Sequence, residues 1–136
     1  LTAFVLDNSV TMRWCFQNAA HPYADGILQQ LAIGAAFVPV MWLYEVSAVL
    51  AKSQRDGILT AHRVDEFLAT RNNLSITVDS DSPACILTDV HRLAVAHRLT
   101  PYDASYLELA LRNNMPLATL DDELIAASKA SGVTLS

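Results

Sequence analysis

The sequence predicts an α/β layered fold, with a mainly parallel sheet of four or five short strands covered by helices on both faces. Three observations carry that reading. Runs such as Ala3-Phe4-Val5-Leu6 are apolar at every position, as strands buried on both faces are. These runs alternate along the chain with longer segments whose apolar residues recur at helical spacing. Proline, glycine and short polar residues punctuate the boundaries between the two kinds.

Taken in order, Ala3 to Leu6 is the first strand, and Asp7-Asn8-Ser9 turns the chain at its carboxyl end. Val10 to Phe16 and Tyr23 to Ile33 read as helices, broken around Asn18 to Pro22. Ala36-Phe37-Val38 is a second strand, stopped by Pro39. Met41 to Arg55 is a helix closed by Asp56-Gly57, where glycine suits the left-handed position beyond a helix end. Thr60 caps a helix to Arg71, and Asn72-Asn73 turns the chain into a third strand, Ser75 to Val78. Ser82-Pro83 gives a cap and then proline at the first helical position, for a helix to Leu99. Thr100-Pro101 repeats that signal for a helix ending near Asn113-Asn114. Leu117-Ala118-Thr119 is a fourth strand, Asp121 to Ala130 the last helix, and Val133-Thr134 a short fifth strand. No repeat, linker or low-complexity run interrupts the series, which reads as one domain over residues 1–136.

Composition narrows the class. Hydrophobic residues make up 52% of the chain, enough for a sizeable core, while charged residues make up only 17%. An average soluble chain carries about 25% charged residues, so part of this surface is expected to lie against a partner. The formal net charge of −5 argues against a protein that coats nucleic acid through a basic stripe. It leaves room for an enzyme that grips one phosphate through a metal ion. Cys15 and Cys85 stand far apart in apolar surroundings, as free thiols in a reducing, cytoplasmic setting would. No secretory signal is expected, since Leu1 leads directly into the first strand. Ala32 to Ala51 is apolar, but Gly34, Pro39 and Glu45 divide it into a strand and a helix, which rejects a membrane span.

Among fourteen acidic residues, four sit where surface acids do not belong. Glu45 shares a helix face with Trp42, Val46 and Val49, and an unpaired charge on such a face is costly when buried. Asp7 ends a buried strand, and ligands of open α/β sheets sit beyond the carboxyl ends of the strands. Asp103 follows Thr100 by three residues, as in a capping box, yet shares its face with Tyr106, Leu107 and Ala110. Asp121 follows the fourth strand and also suits a helix cap. Each has a purely structural explanation, as an edge glutamate, a turn or a cap. Together they lie on one side of the predicted sheet, and a set of carboxylates suits a hard divalent cation, Mg²⁺ or Mn²⁺. Such an ion serves phosphodiester hydrolysis by activating water and stabilising the leaving oxygen. His21, His62, His91 and His97 have no metal-ligand spacing and suit solvated or capping positions. There is no glycine-rich phosphate loop and no serine nucleophile in a recognisable setting.

Several blocks then resemble, in order over nearly the whole chain, PIN domains of the VapC toxin type. They are Val5-Leu6-Asp7-Asn8-Ser9-Val10 with Arg13-Trp14, Pro39 with Glu45-Val46-Ser47-Ala48-Val49-Leu50, Leu99-Thr100-Pro101-Tyr102-Asp103-Ala104-Ser105-Tyr106, and Leu117-Ala118-Thr119-Leu120-Asp121. The resemblance implies a three-layer α/β/α sandwich, Mg²⁺ or Mn²⁺, endonucleolytic cleavage of RNA, and inhibition by a small antitoxin protein. By position it makes Asp7, Glu45, Asp103 and Asp121 the acidic cluster, with Asp7, Asp103 and Asp121 as metal ligands. Ser9 and Thr119 become the hydroxyls that orient it. Asp122 adjoins Asp121, and the Thr119-x-Asp121 spacing favours Asp121. Arg13 and Arg112 are candidate contacts to the RNA backbone.

Rival readings remain. A flap-type DNA nuclease or an inactive PIN scaffold shares the fold. A metal-dependent adhesion module would use the Asp7-x-Ser9-x-Thr11 loop, but gives Glu45 and Asp103 no task. A receiver domain would need an acidic pair at the first strand, which is missing. Low charge and high apolar content lead us to expect a homodimer.

Overall fold

The computed structural model describes residues 2–16 and 21–136. Four strands, β1 (Ala3–Leu6), β2 (Ala35–Val38), β3 (Ile76–Val78) and β4 (Leu117–Ala118), form a sheet in the order β3-β2-β1-β4. Every pairing is parallel. Phe4 lies opposite Ala36 and Leu6 opposite Ala118, so large side chains face small ones across the ladders. Phe4, Val5 and Leu6 are all fully buried, which places helices over both faces of β1. Burying each such side chain contributes about 1.5–3 kcal/mol.

The covering helices are α1 (Asn8–Cys15), α2 (Pro22–Ile33), α3 (Val40–Arg55), α4 (Ala61–Asn72), α5 (Ser82–Cys85), α6 (His91–His97), α7 (Pro101–Asn113) and α8 (Asp122–Ser131). Together with the sheet they make the expected α/β/α sandwich. Helix α7 packs on β1 and β4, α2 packs on β2, and α1 packs against α2 and α3. The apolar stretch around Pro39 divides as expected: β2 ends at Val38, Pro39 occupies the cap position, and α3 follows. No helix among the described residues is long and apolar enough to cross a membrane. The break expected around Asn18 to Pro22 falls mostly on residues 17–20, outside the described residues, and α2 already begins at Pro22.

Three elements depart from the sequence reading. The expected helix from Ser82 to Leu99 is interrupted by a π-helical turn, Ile86–Val90, which shifts the buried face by one residue. It ends at His97, because Arg98 turns left-handed (φ 55°) and the Leu99 N–H folds back onto the Ala94 carbonyl. Ser82 is not the cap of that helix. Asp81 occupies the cap position, and the Ser82 hydroxyl donates to Asp79 Oδ2 at 2.5 Å. The fifth strand is reduced to an isolated parallel bridge between Leu117 and Leu135, held by Leu117 N–H to Thr134 O and Ser136 N–H to Leu117 O, both 2.9 Å.

Two glycines have identifiable work. Gly57 takes the left-handed position after α3, with φ +75°. A Cβ on Gly34 would stand 2.2 Å from the Thr2 carbonyl oxygen, where the chain closes onto the start of β1. The consequence for function lies at the other end of the strands. Strand β1 leads to β2 on one side and pairs with β4 on the other, which makes a topological switch point between β1 and β4. Asp7 follows β1 there, and Thr119 and Asp121 follow β4.

Candidate active site

Asp7 stands at the cap position of α1 but makes no side-chain cap hydrogen bond, which removes the simplest structural reading of it. Its backbone N–H donates to Ala118 O at 3.0 Å and so extends the β1–β4 ladder by one step. The side chain is only 5% exposed, and two hydroxyls converge on its Oδ2: Ser9 Oγ at 2.6 Å and Thr119 Oγ1 at 2.8 Å. The same hydroxyls latch the loop after β4, since the Leu120 N–H donates to Ser9 Oγ and the Asp121 N–H to Thr119 Oγ1, each at 3.0 Å. Ser9 and Thr119 thus both hold Asp7 Oδ2 and tie it to the loop after β4. The third residue of the adhesion-type loop is differently engaged. The buried Thr11 hydroxyl donates to Asp7 O and accepts from Trp42 Nε1, so it faces the core and offers no ligand.

The other three acids lie within electrostatic reach of Asp7. Burial raises the Asp7 carboxyl above its ordinary pKa against the Ser9 and Thr119 hydrogen bonds, and the charge of Asp121 adds to the rise. Burial raises Glu45 as well; a hydrogen bond from Tyr106 opposes this, and the charges of Asp7 and Asp103 reinforce it. Asp103 is pushed up to about 6, first by burial and then by the charges of Asp121 and Asp7. Asp121 does cap α8, its Oδ1 accepting the Leu124 N–H at 2.9 Å, yet its charge is felt at both Asp7 and Asp103. Capping and clustering are thus compatible in one side chain. Asp122 is exposed at the first position of α8 and is absent from these influences, which favours Asp121 of the adjacent pair.

Helix ends partly offset this concentration of negative charge. Asp7 stands at the cap position of α1, Asp121 caps α8, and Asp103 lies in the first turn of α7, so three positive helix ends meet the acids. Among the described residues no arginine or lysine forms an ion pair with these four acids. Among the described residues the ion pairs lie elsewhere, at Lys52–Asp56, His62–Glu66, Arg92–Asp89 and around Arg112. Arg112, the other candidate for the RNA backbone, has its guanidinium bound to Asp79 at 2.5 Å and to buried Glu108 at 2.8 Å, so it also serves the fold. Arg13 is exposed in the last turn of α1.

Two further side chains went unread in the sequence. Glu123 adds its charge to those raising Asp103. Tyr106, fully buried, donates its hydroxyl to Glu45 Oε1 at 2.5 Å. Its phenol is raised far above the ordinary value, first by burial and then by the charges of Glu45 and Asp7, so the proton stays on the oxygen. The available signal was the three-residue spacing from Asp103, which puts Tyr106 one turn further along the same helix face.

The donor set is all oxygen, which suits Mg²⁺ or Mn²⁺ and not a soft metal. The residue after Asp7 points the same way, because Asn8 Oδ1 is buried without a hydrogen-bond partner. Among the described residues no three acidic, histidine or cysteine side chains stand close enough together to hold a metal ion as they are. The two observations are compatible. Like charges stand apart until a cation joins them, and Mg²⁺ keeps several waters instead of demanding a complete protein cage.

A parallel α/β/α sandwich with carboxylates at its switch point suits the binding of a divalent cation. The PIN domain sequence model matches residues 4–130, and the chain belongs to that family. Over 81 residues it is 35% identical to Ribonuclease VapC3 of Pyrobaculum aerophilum; this covers 60% of the chain and 62% of the relative, less than two thirds of that protein's length. The crystal structure of PAE2754 from Pyrobaculum aerophilum superimposes with a TM-score of 0.64 at 25% identity, covering 93% of this chain and 84% of that one. VapBC2 from Rickettsia felis, solved bound to a DNA fragment from its promoter, gives a TM-score of 0.67 at 15% identity over 99% of this chain and 98% of that one, a likeness of fold alone.

Proposed function

We propose that this PIN-domain chain is a divalent-cation-dependent endoribonuclease, the toxin of a toxin–antitoxin pair acting in the cytoplasm, with residues 1–136 as its one nuclease domain. The observation that carries the proposal is the gathering of Asp7, Glu45, Asp103 and Asp121 without an ion pair among the described residues. Their mutual repulsion is a cost to folding that a bound cation removes, and sites kept for function commonly carry such costs. The name Ribonuclease VapC3 on the 35% identical relative supports RNA as the substrate.

In this reading Asp7, Asp103 and Asp121 hold Mg²⁺ or Mn²⁺. When bound, the ion activates water and stabilises the leaving oxygen of the phosphodiester. Ser9 and Thr119 fix the Asp7 carboxylate by donating to Oδ2, and a metal site depends on such outer contacts. Glu45, whose carboxyl is raised by burial above its ordinary value, is suited to accept and return a proton at its carboxylate. Arg13 is the exposed candidate for holding the RNA backbone. The partners are RNA, a small antitoxin protein and a second copy of the chain. Exposed apolar side chains support the protein contacts, among them Leu87 at 88%, Val95 at 69% and Ile33 at 74% exposure.

Incubating the purified protein with RNA and with DNA, in Mg²⁺, Mn²⁺ or EDTA, tests the activity. Cutting of RNA alone, abolished by EDTA, is the expected result. Cutting of DNA alone would move the protein to the flap-type class, and cutting that persists in EDTA would remove the metal from the account. Light scattering should show a dimer, or a complex with a co-purifying small protein; a clean monomer would contradict the assembly.

A further inference from the structure

We propose that Tyr106 is a positioning residue for Glu45: its buried phenol on α7 sets the direction in which the Glu45 carboxylate on α3 faces the acid cluster. The inference rests on reading that cluster as a divalent-cation site, to which Glu45 adds its charge beside the ligands Asp7 and Asp103 without being a ligand itself. A glutamate on a helix has three side-chain torsions to restrict, and Glu45 is only partly buried, so packing alone holds it loosely. Tyr106 is the opposite kind of side chain, with two torsions and no exposed surface, enclosed by the core. The hydroxyl of a buried tyrosine needs a partner, and here that partner is Glu45 Oε1, sixty-one residues away. If Glu45 swung away it would leave a buried hydroxyl without a partner, which is costly, so the pair restrains the carboxylate. Glu45 Oε2 takes no hydrogen bond among the described residues and is left to face a ligand. Because Asp103 precedes Tyr106 by one helical turn, α7 supplies one acid of the cluster and the restraint on another.

A phenol that only ties α3 to α7 would give the same contact, and the test separates the two roles. Tyr106→Phe and Glu45→Gln are made singly and together, and each protein is titrated with Mn²⁺ by calorimetry, assayed on RNA and melted. We expect Tyr106→Phe to weaken Mn²⁺ affinity and to slow turnover by about tenfold or more, the usual size of a lost hydrogen bond to a charged group, with KM for RNA unchanged. In the Glu45→Gln background the same change should have no further effect on either quantity, since there is no carboxylate left to direct. A Tyr106→Phe protein that melts lower but keeps wild-type Mn²⁺ affinity and turnover would overturn the proposal. So would an equal loss of affinity in the Glu45→Gln background. Wild type that binds Mn²⁺ but cuts no RNA would defeat the ribonuclease reading alone, and the Mn²⁺ affinities would still judge Tyr106. Wild type that binds no Mn²⁺ would overturn both.

Discussion

Helix α7 carries two acids, Asp103 and Glu108, whose surroundings differ in one respect. Near its end, buried Glu108 is matched by Arg112, which also reaches Asp79 across the fold. Burial alone would raise Asp79, but hydrogen bonds from Arg112 and Ser82 outweigh it and hold the carboxyl below its ordinary value. In the first turn of the same helix, Asp103 meets Asp7 and Asp121 and is pushed up to about 6. The fold therefore has the means to neutralise a partly buried acid and uses them at one end only. Where stability is at issue a guanidinium is supplied. Where the strand ends open at the switch point, the charges face one another with only hydroxyls and helix ends to moderate them.

The largest expected effect is on activity at the unneutralised end. Asp7→Asn keeps the shape and can still accept from Ser9 and Thr119, but loses the charge. RNA cleavage should fall by about a hundredfold to a thousandfold or more, the range for removing a group that stabilises reacting charge. The variant should melt no lower than wild type in EDTA. Retained cleavage would show that Asp7 is a structural acid after all.

Arg112→Ala should do the reverse. Arg112 is itself exposed, but its removal leaves buried Glu108 unpaired, which costs about 1–3 kcal/mol. Denaturant unfolding should show that loss, while the melting shift on adding Mn²⁺ stays as in wild type. A variant of unchanged stability that no longer cuts RNA would return Arg112 to the role of a backbone contact.

Thr119→Val should have a smaller, mixed effect. It removes the donor to Asp7 and the acceptor for the Asp121 N–H, two hydrogen bonds of about 1 kcal/mol each. Loss of an outer contact of this kind typically lowers metal affinity or activity about 10- to 100-fold, which calorimetry and an RNA assay would read. Unaltered Mn²⁺ affinity would mean that the threonine serves the loop and not the site.

A gentler prediction concerns pH. Asp7, Glu45 and Asp103 have folded-state pKa values above their unfolded ones, so their contribution to stability is fully present at low pH. It is lost as pH rises through the folded values, near 6 for Asp103. Asp79, lowered in the fold, acts in the opposite sense and loses its contribution only as pH falls below the ordinary carboxylate range. Melts in EDTA from about pH 4 to about pH 7 should therefore show a decline from the acid cluster, and Mn²⁺ should reduce it. A rise across that window would contradict the pKa directions.

What the sequence disclosed and what it hid follow one division. Strands read as uniformly apolar runs and helices read from caps were found because their signals are local: Phe4-Val5-Leu6, Pro39, Gly57 and Thr100 each act within a few residues. The four acids stood out only as a set, since each alone could be an edge glutamate, a turn or a cap. Pairings across long separations were not legible. Nothing near Arg112 announces Asp79, thirty-three residues away, and nothing near Glu45 announces Tyr106. Ser82 misled because Ser-Pro is a sound cap signal by itself, while its hydroxyl was drawn off by Asp79. The π turn at Ile86–Val90 left no local mark, since one extra residue in a helical run leaves composition unchanged.

The central claim is that Asp103 and its neighbours await a cation, and thermal melts of wild type and Asp103→Asn, each in EDTA and in Mn²⁺, test it most directly. The cap of α7 involves the Asp103 backbone N–H and the Thr100 hydroxyl, which asparagine leaves in place. Asp103→Asn should therefore melt at or above wild type in EDTA, relieved of one like charge. In Mn²⁺ at a hundredfold excess over its dissociation constant, wild type should gain about 2.7 kcal/mol and the variant far less. A variant that melts clearly lower in EDTA, yet gains as much from Mn²⁺ as wild type does, would make Asp103 a structural residue and contradict the account.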